Sequence, residues 1–295
     1  MAQFYQKLLY QTLDDCLNKF CRKDVEPYLR SYLEICISLS FFRVPRFQSI
    51  FIECINFKLD HTIPEWKGVN WDIDDESRSI DKHNGIVKLF DWELNFFKHI
   101  PSTQESEECT RILRKIESNR KWQARIKKRS IAFFQIVKRW SELIQMTVQT
   151  NSLFWQDIPG YRMIVKSILV EMKERSILEY PDSLIDATMA IVQNPELLTV
   201  LMTIIFQKTN AYDSNALCQT MTIIQMWLNH VEKQGLGFPS NFDLNFFFKG
   251  LNIALDMDHS VSTPRTLYML FKTLHFFPID QRNSIIQKLL KNYFY

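Results

Sequence analysis

The sequence predicts an all-α protein, and three observations support this prediction. Glycine, which tight hairpins and phosphate-binding loops need, accounts for only 6 of 295 residues, whereas about 7% is usual. The 10 prolines are spread along the chain and divide it into segments. Proline fits the first turn of a helix but breaks its interior. Within the segments, apolar residues recur at spacings of three and four, which is the period of one helical face.

The first three segments each contain one apolar stripe. The first stripe runs from Phe4 to Phe20, the second follows Pro27, and the third follows Pro45 and ends near Leu59. Because both prolines suit the first turn of a helix, we predict three consecutive helices here.

Residues 60–85 interrupt the helical pattern, since they are acidic, contain tryptophan and lack periodicity. We predict a loop. The wider acidic segment, residues 60–108, holds twelve acidic and five basic side chains. The acidic run at 72–76 resembles a calcium ligand set, but it lacks the central glycine and the distal glutamate of an EF-hand loop. A solvated loop is therefore the preferred interpretation.

Residues 104–150 contain neither proline nor glycine. Their pattern predicts one long amphipathic helix of roughly 45 residues, about 65 Å in length. Such a helix greatly exceeds the usual length, so the alternative is a bend or a short break near Asn119 or Ser130.

The C-terminal half repeats the arrangement of the N-terminal half. We predict helices at about 160–178, 182–193, 195–208, 213–233, 242–256, 264–276 and 279–293. Asp182, Asp213 and Thr263 are capping signals, and Pro264 follows Thr263 at the expected first helical position. Residues 197–206 also fit a strand, but their helical neighbours favour a buried helix.

This succession of helices, joined by proline-marked turns, predicts an armadillo- or HEAT-like stack of antiparallel helical pairs with one long central helix. No strict residue-level repeat is present, so a compact irregular bundle is the competing architecture. We divide the chain into an N-terminal helical region (1–100), the long basic helix (101–150) and a C-terminal stack (151–295), within one continuous domain.

The cysteines indicate a reducing compartment. No Cys-x-x-Cys pair occurs among Cys16, Cys21, Cys36, Cys54, Cys109 and Cys218. The first residues, MAQFYQKLLY, lack the basic-then-apolar layout of a signal peptide. No window reaches eighteen uninterrupted apolar residues, so we predict no transmembrane segment. We therefore expect a cytoplasmic protein with buried, reduced thiols.

Two blocks, YLEICISLSFFRVPRFQSIFIEC at 32–54 and PRTLYMLFKTLHFFPIDQRNSIIQKLL at 264–290, resemble a eukaryotic family known as domain of unknown function 1765. The tryptophan-bearing link between Pro64 and Trp71 fits the same family. The resemblance is partial, because it touches both ends of the chain and adds little in the middle. It implies a large, helical, intracellular protein without an assigned chemistry. Members of this family are longer, and the apolar end KNYFY is typical of a truncated chain.

The sequence contains no signature of an enzyme. No two histidines lie three or four residues apart, so no helix face offers a zinc pair. The histidines are His61, His83, His99, His230, His259 and His275. Cys36 and Cys54 lie on apolar stripes and are interpreted as core residues. Gly-rich phosphate loops, Gly-x-Ser-x-Gly and kinase motifs are missing from the sequence. We predict a non-enzymatic protein without metal or cofactor.

The strongest local feature is the basic segment, Arg111–Arg139, which carries eleven Lys or Arg side chains and a single acid, Glu117. Its apolar residues follow a helical stripe that we expect to face the core. The cations between them should project into solvent or onto a partner. The predicted binding residues are Arg120, Lys121, Arg125, Lys127, Lys128 and Arg129.

Three interpretations of this basic segment remain open. It is an exposed face matched partly by the acidic segment at 60–108, a docking face for an acidic protein, or a contact for nucleic acid or an anionic membrane surface. Near-neutral overall charge argues against the third, as does the lack of an aromatic ladder among the bases. We expect a scaffold or adaptor for protein–protein interaction, with nucleic-acid or membrane-surface binding as the alternative.

Overall fold

The computed structural model describes residues 2–56, 106–151, 155, 158, 160–235, 238–240, 242–257 and 259–293. Within these ranges every regular element is helical and no strand occurs, which confirms the all-α prediction. The predicted acidic loop at 60–85 lies outside the described residues. The same holds for the acidic segment, of which residues 106–108 alone are described.

The helices begin and end close to the proline-marked boundaries. In chain order the α-helices of the described ranges are α1 (Ala2–Phe20), α2 (Pro27–Arg43), α3 (Pro45–Asn56), α4 (Glu107–Ser118), α5 (Arg120–Lys127), α6 (Ile131–Asn151), α7 (Tyr161–Glu174), α8 (Asp182–Ile191), α9 (Leu198–Lys208), α10 (Ser214–Lys233), α11 (Leu244–Asp256), α12 (Ser262–Thr273) and α13 (Ile279–Tyr293). Short 3₁₀ turns lie at Ile177–Glu179, Pro195–Leu197 and Leu274–Phe276.

The C-terminal helices agree with their predicted ranges within a few residues. The ambiguous stretch at 197–206 is helical, as its neighbours suggested. Asp213 caps α10, because its carboxylate accepts the backbone N–H groups of Asn215 at 2.9 Å and Ala216 at 3.2 Å. Thr263 does not cap α12, which begins one residue earlier at Ser262.

The single long helix predicted for 104–150 is wrong, because the chain forms three helices there. Asn119 ends α4 and caps α5, where its side chain accepts the Lys121 backbone N–H at 3.1 Å. Arg129 has a φ of 44°, in the left-handed region, and this conformation ends α5 before α6 begins at Ile131. Both breaks fall near the positions that the alternative interpretation named, Asn119 and Ser130.

The chain divides into two compact units. The first contains the described residues up to Glu171 together with Pro181–Ile191. The second contains Met172–Tyr180 and the described residues from Val192 onward. The sequence-based boundary at 151 therefore falls inside the first unit.

Buried aromatic side chains hold the helices of the first unit together. Trp140 of α6 stacks on Phe42 of α2, with 6.0 Å between the ring centroids. Trp122 of α5 lies 5.7 Å from Phe47 of α3, and its indole N–H donates to the Ile116 carbonyl of α4 at 2.9 Å. Large aromatic rings contribute much of the apolar area that a core buries. These contacts fix the positions of α4–α6, which contain the basic segment.

The core of the second unit is rich in phenylalanine. Phe247 of α11 is fully buried and stacks on Phe277, with 5.6 Å between the centroids. Gly250 of α11 permits a close approach to α9, because a Cβ atom at that position would lie 2.8 Å from the Phe206 ring. Glycine is therefore needed at this helix contact.

Candidate functional site

The basic segment (Arg111–Arg139) extends over α4, α5 and the start of α6. Its apolar stripe is buried as predicted, so the amphipathic interpretation of these helices is confirmed. The stripe residues that are at most 2% exposed are Ile116, Trp122, Ile126, Phe133, Val137 and Trp140.

A first group of the cations forms ion pairs with carboxylates of the first unit. The pairs are Lys115 with Asp14, Arg129 with Glu171 (3.2 Å), Lys138 with Asp186 (2.7 Å), Arg139 with Glu142 (3.0 Å) and Arg111 with Glu108 (4.0 Å). Among these acids, only Glu108 belongs to the acidic segment. Since residues 60–105 lie outside the described ranges, the match between that segment and the basic segment stays a prediction.

The prediction that Arg129 faces a partner is wrong, because its side chain is only 2% exposed. Its guanidinium donates to the Glu171 carboxylate of α7 and to the Ile55 carbonyl of α3, each at 3.2 Å. Arg129 therefore connects the junction of α5 and α6 with two other helices. Its role is structural, since a buried charge requires such partners.

Arg125 is also bound mainly within the protein. It is half-buried, donates to the Phe20 carbonyl at the end of α1 and lies with its guanidinium 5.5 Å from the centre of the Phe20 ring. A cation at the last carbonyls of a helix is stabilising, because the helix dipole is negative there. Arg125 therefore caps α1 and is only partly available to a partner.

The remaining predicted binding residues lie on two sides of α5. Arg120 and Lys127 lie towards α3, because their charges act on the Cys54 thiol of that helix. Burial raises the pKa of this thiol to about 11, and the two cations oppose the increase. Lys121 lies towards the end of α1, because its charge and that of Arg125 both act on the Cys21 thiol. The predicted residues therefore do not form a single face, because they point to different sides of the helix axis.

Lys121, Arg125 and Lys128 share one side of α5, because they are four and then three residues apart. We call these three residues the basic face. Lys121 and Lys128 are exposed, and neither has an acidic partner among the described residues. Of the six predicted binding residues, these two are the best placed to meet a partner.

A cleft of about 450 Å³ adjoins the basic face. Its lining includes Arg30 of α2 and Ile131 of α6 beside Arg125 and Lys128. Arg30 and Ile131 were not among the binding residues predicted from the sequence. Neither residue stands out locally, and the packing of α1, α2, α5 and α6 alone brings them together.

A pair of thiols at the contact of α1 and α2 has unusual electrostatics. Cys16 and Cys36 hydrogen bond to each other, and the Tyr32 hydroxyl donates to Cys36. The hydrogen bond from Cys16 and that from Tyr32 lower the pKa of Cys36 to about 6, although burial opposes the change. The same thiol pairing, together with burial, raises the pKa of Cys16. Cys36 is half-buried rather than a full core residue, whereas Cys54 is buried as predicted.

Cys36 is expected to alkylate faster than the other half-buried thiols, Cys21 and Cys218, whose pKa burial raises. At about pH 6 the advantage should be about tenfold, because the larger thiolate fraction outweighs the lower nucleophilicity of a low-pKa thiolate. Mass spectrometry of each peptide after iodoacetamide treatment measures the rates. Tyr32→Phe should move the midpoint of the Cys36 pH profile upward, and equal rates for the three thiols would refute this account.

The described residues offer neither a metal site nor a simple membrane span. No group of three or more His, Cys, Asp or Glu side chains within them is arranged to hold a metal ion. No single helix among them is long and apolar enough to cross a bilayer, although α2 and α3 together meet the criteria across a 113° bend.

Comparison with known proteins gives one match. No curated protein and no solved structure matches the chain. Residues 198–295 match the model of a family described as Protein of unknown function (DUF1765). This match contains the second of the two resembling blocks, residues 264–290, but not the first. The resemblance to this family is thus confirmed for the last third of the chain.

Proposed function

We propose that the protein is a non-enzymatic helical scaffold or adaptor that binds an acidic protein partner through the basic face. The proposal includes an armadillo- or HEAT-like stack and a cytoplasmic location. Contacts between successive helices, α1 with α2, α2 with α3, and α11 with α12, support the stacked arrangement. Six free cysteines support a reducing compartment.

The observation that supports this proposal is that some cations of the basic segment form ion pairs within the protein and others do not. Arg129 and Lys138 are paired within the first unit, whereas Lys121 and Lys128 point outward without a described acidic partner. Uncompensated charges on one side of a helix attract a partner of opposite charge and set its orientation. The described part of the fold does not use these two charges in an ion pair, which supports a binding role for them.

An interaction role also agrees with the chemistry of the adjoining cleft. Among the described residues, its lining contains no His, Cys, Asp or Glu side chain that could form a general acid–base pair. The aromatic residues of the basic segment, Trp122, Phe133 and Phe134, are buried. Nucleic-acid bases would therefore find no aromatic platform among them, which favours a protein over a single-stranded nucleic acid.

Affinity capture with quantitative mass spectrometry tests the proposal. The bait variant Lys121→Glu/Lys128→Glu is compared with the wild type and with Arg114→Glu/Lys249→Glu, which has the same charge change at exposed positions outside the basic face. A partner lost only with the first variant is then purified. Its binding to the wild type should weaken as salt increases, and the first variant should weaken it about tenfold.

Two outcomes would overturn the proposal. In the first, both variants capture the same proteins as the wild type. In the second, the wild type shows salt-dependent affinity for RNA, DNA or anionic vesicles that the basic-face variant abolishes. The second result would establish the alternative, a nucleic-acid or membrane-surface binder.

A further inference from the structure

The cleft beside the basic face has an apolar floor. Phe20, Leu33 and Val25 contribute to it from α1, α2 and the connection between them, and Ile131 completes it at the start of α6. Ile131 is 56% exposed although it is a large aliphatic residue. An exposed aliphatic side chain beside buried apolar neighbours offers a contact for an apolar group of a ligand.

Positive charge surrounds this floor. Arg30, Arg125 and Lys128 line the cleft, and no carboxylate of the described residues does so. Arg30 acts on the carboxyl of Glu34, which is buried, and burial raises the pKa of that carboxyl. The first residues of α6 also line the cleft, so the positive end of that 21-residue helix adds to the potential. The cleft therefore favours an apolar ligand that also carries negative charge.

The lining also contains an unsatisfied hydrogen-bond acceptor. Gln135 of α6 lines the cleft, and its Oε1 is buried without a hydrogen-bond partner among the described residues. Buried amide oxygens are normally satisfied, so a donor is missing at this position. A peptide N–H supplies such a donor.

We propose that this cleft binds a short acidic peptide segment of the partner, in which an apolar side chain lies between carboxylates. The apolar side chain contacts Ile131 and Leu33, the carboxylates face Arg30 and Lys128, and a backbone N–H donates to Gln135. This inference rests on the proposed function and specifies the chemistry of the partner. Apolar contact and charge both contribute, so neither alone is sufficient.

Fluorescence anisotropy tests the inference with a labelled short peptide of alternating Glu and Leu pairs. Two control peptides replace Glu by Gln or Leu by Ser. Lys128→Glu and Arg30→Glu should each weaken binding of the acidic peptide about tenfold, and Ile131→Ser should weaken it by a smaller factor. Arg114→Glu, with the same charge change outside the cleft, should change the affinity by less than about twofold. Urea unfolding confirms that each variant is folded.

The outcomes separate this inference from the proposed function. If Arg114→Glu weakens peptide binding as much as Lys128→Glu does, the cleft is not the peptide-binding site. The same holds if the Ser-containing peptide binds as tightly as the Leu-containing one. Both results leave the proposal of a basic interaction face in place. If the wild type does not bind the acidic peptide, peptide binding in the cleft is also refuted. The affinity-capture experiment still tests the proposed function in that case. Binding to phosphatidylserine vesicles without peptide binding would contradict both proposals.

Discussion

Glu171→Leu is expected to lower the free energy of unfolding of the first unit by about 3–5 kcal/mol. The substitution removes the carboxylate that accepts from Arg129 at 3.2 Å and leaves the guanidinium buried with the Ile55 carbonyl. A charge that is 2% exposed cannot recover its hydration without opening the junction of α5 and α6. Urea unfolding followed by circular dichroism measures the change.

The double variant Arg129→Met/Glu171→Leu is the control for this result. It removes both charges and keeps apolar side chains of similar length, so most of the lost stability should return. The substitution at 129 keeps the same backbone requirement, because methionine and arginine are equally disfavoured at a φ of 44°. A single variant within about 0.5 kcal/mol of the wild type would show that the pair is not structural.

Trp122→Ala is expected to lower the free energy of unfolding by about 3–5 kcal/mol. The fully buried indole packs on Phe47 of α3, and its N–H donates to the Ile116 carbonyl of α4. Its loss creates a cavity and leaves that carbonyl without this donor, so three helices lose a common contact.

A matched pair of milder variants separates the packing of this tryptophan from its hydrogen bond. Trp122→Phe keeps a ring but loses the hydrogen bond to Ile116, whereas the Trp140 indole N–H has no hydrogen-bond partner among the described residues. Trp122→Phe should therefore cost about 1 kcal/mol more than Trp140→Phe. If Trp140→Phe costs as much as Trp122→Phe, the hydrogen bond contributes nothing measurable.

Local sequence signals were sufficient to predict where most helices begin and end. Proline and capping residues mark short segments, and the helices from α7 onward follow the predicted ranges within a few residues. The acceptor groups of Asp213 and Asn119 act on backbone N–H groups two or three residues away, so the sequence contains the whole interaction. The prediction of one long helix at 104–150 was wrong, because the apolar periodicity continues through the breaks. Periodicity does not reveal the left-handed backbone conformation of Arg129.

The contacts of the predicted binding residues were harder to predict, because they depend on distant parts of the chain. Arg129 meets Glu171, and Arg125 meets the Phe20 carbonyl 105 positions away. Neither partner can be inferred from helical spacing. The cleft has the same cause, since Arg30 and Ile131 come together only when α2 packs against α6. The exposure of Lys121 and Lys128 was predictable, because both lie off the apolar stripe of this segment.

We expect the cations of the basic segment to divide into a group that stabilises the fold and a group that does not. Urea unfolding of Lys121→Gln/Lys128→Gln beside Arg129→Gln measures this difference. The double variant should lose less than about 0.5 kcal/mol, while the single Arg129 variant should lose about 3 kcal/mol. A double variant that is as unstable as Arg129→Gln, or an Arg129→Gln variant as stable as the wild type, would contradict this division.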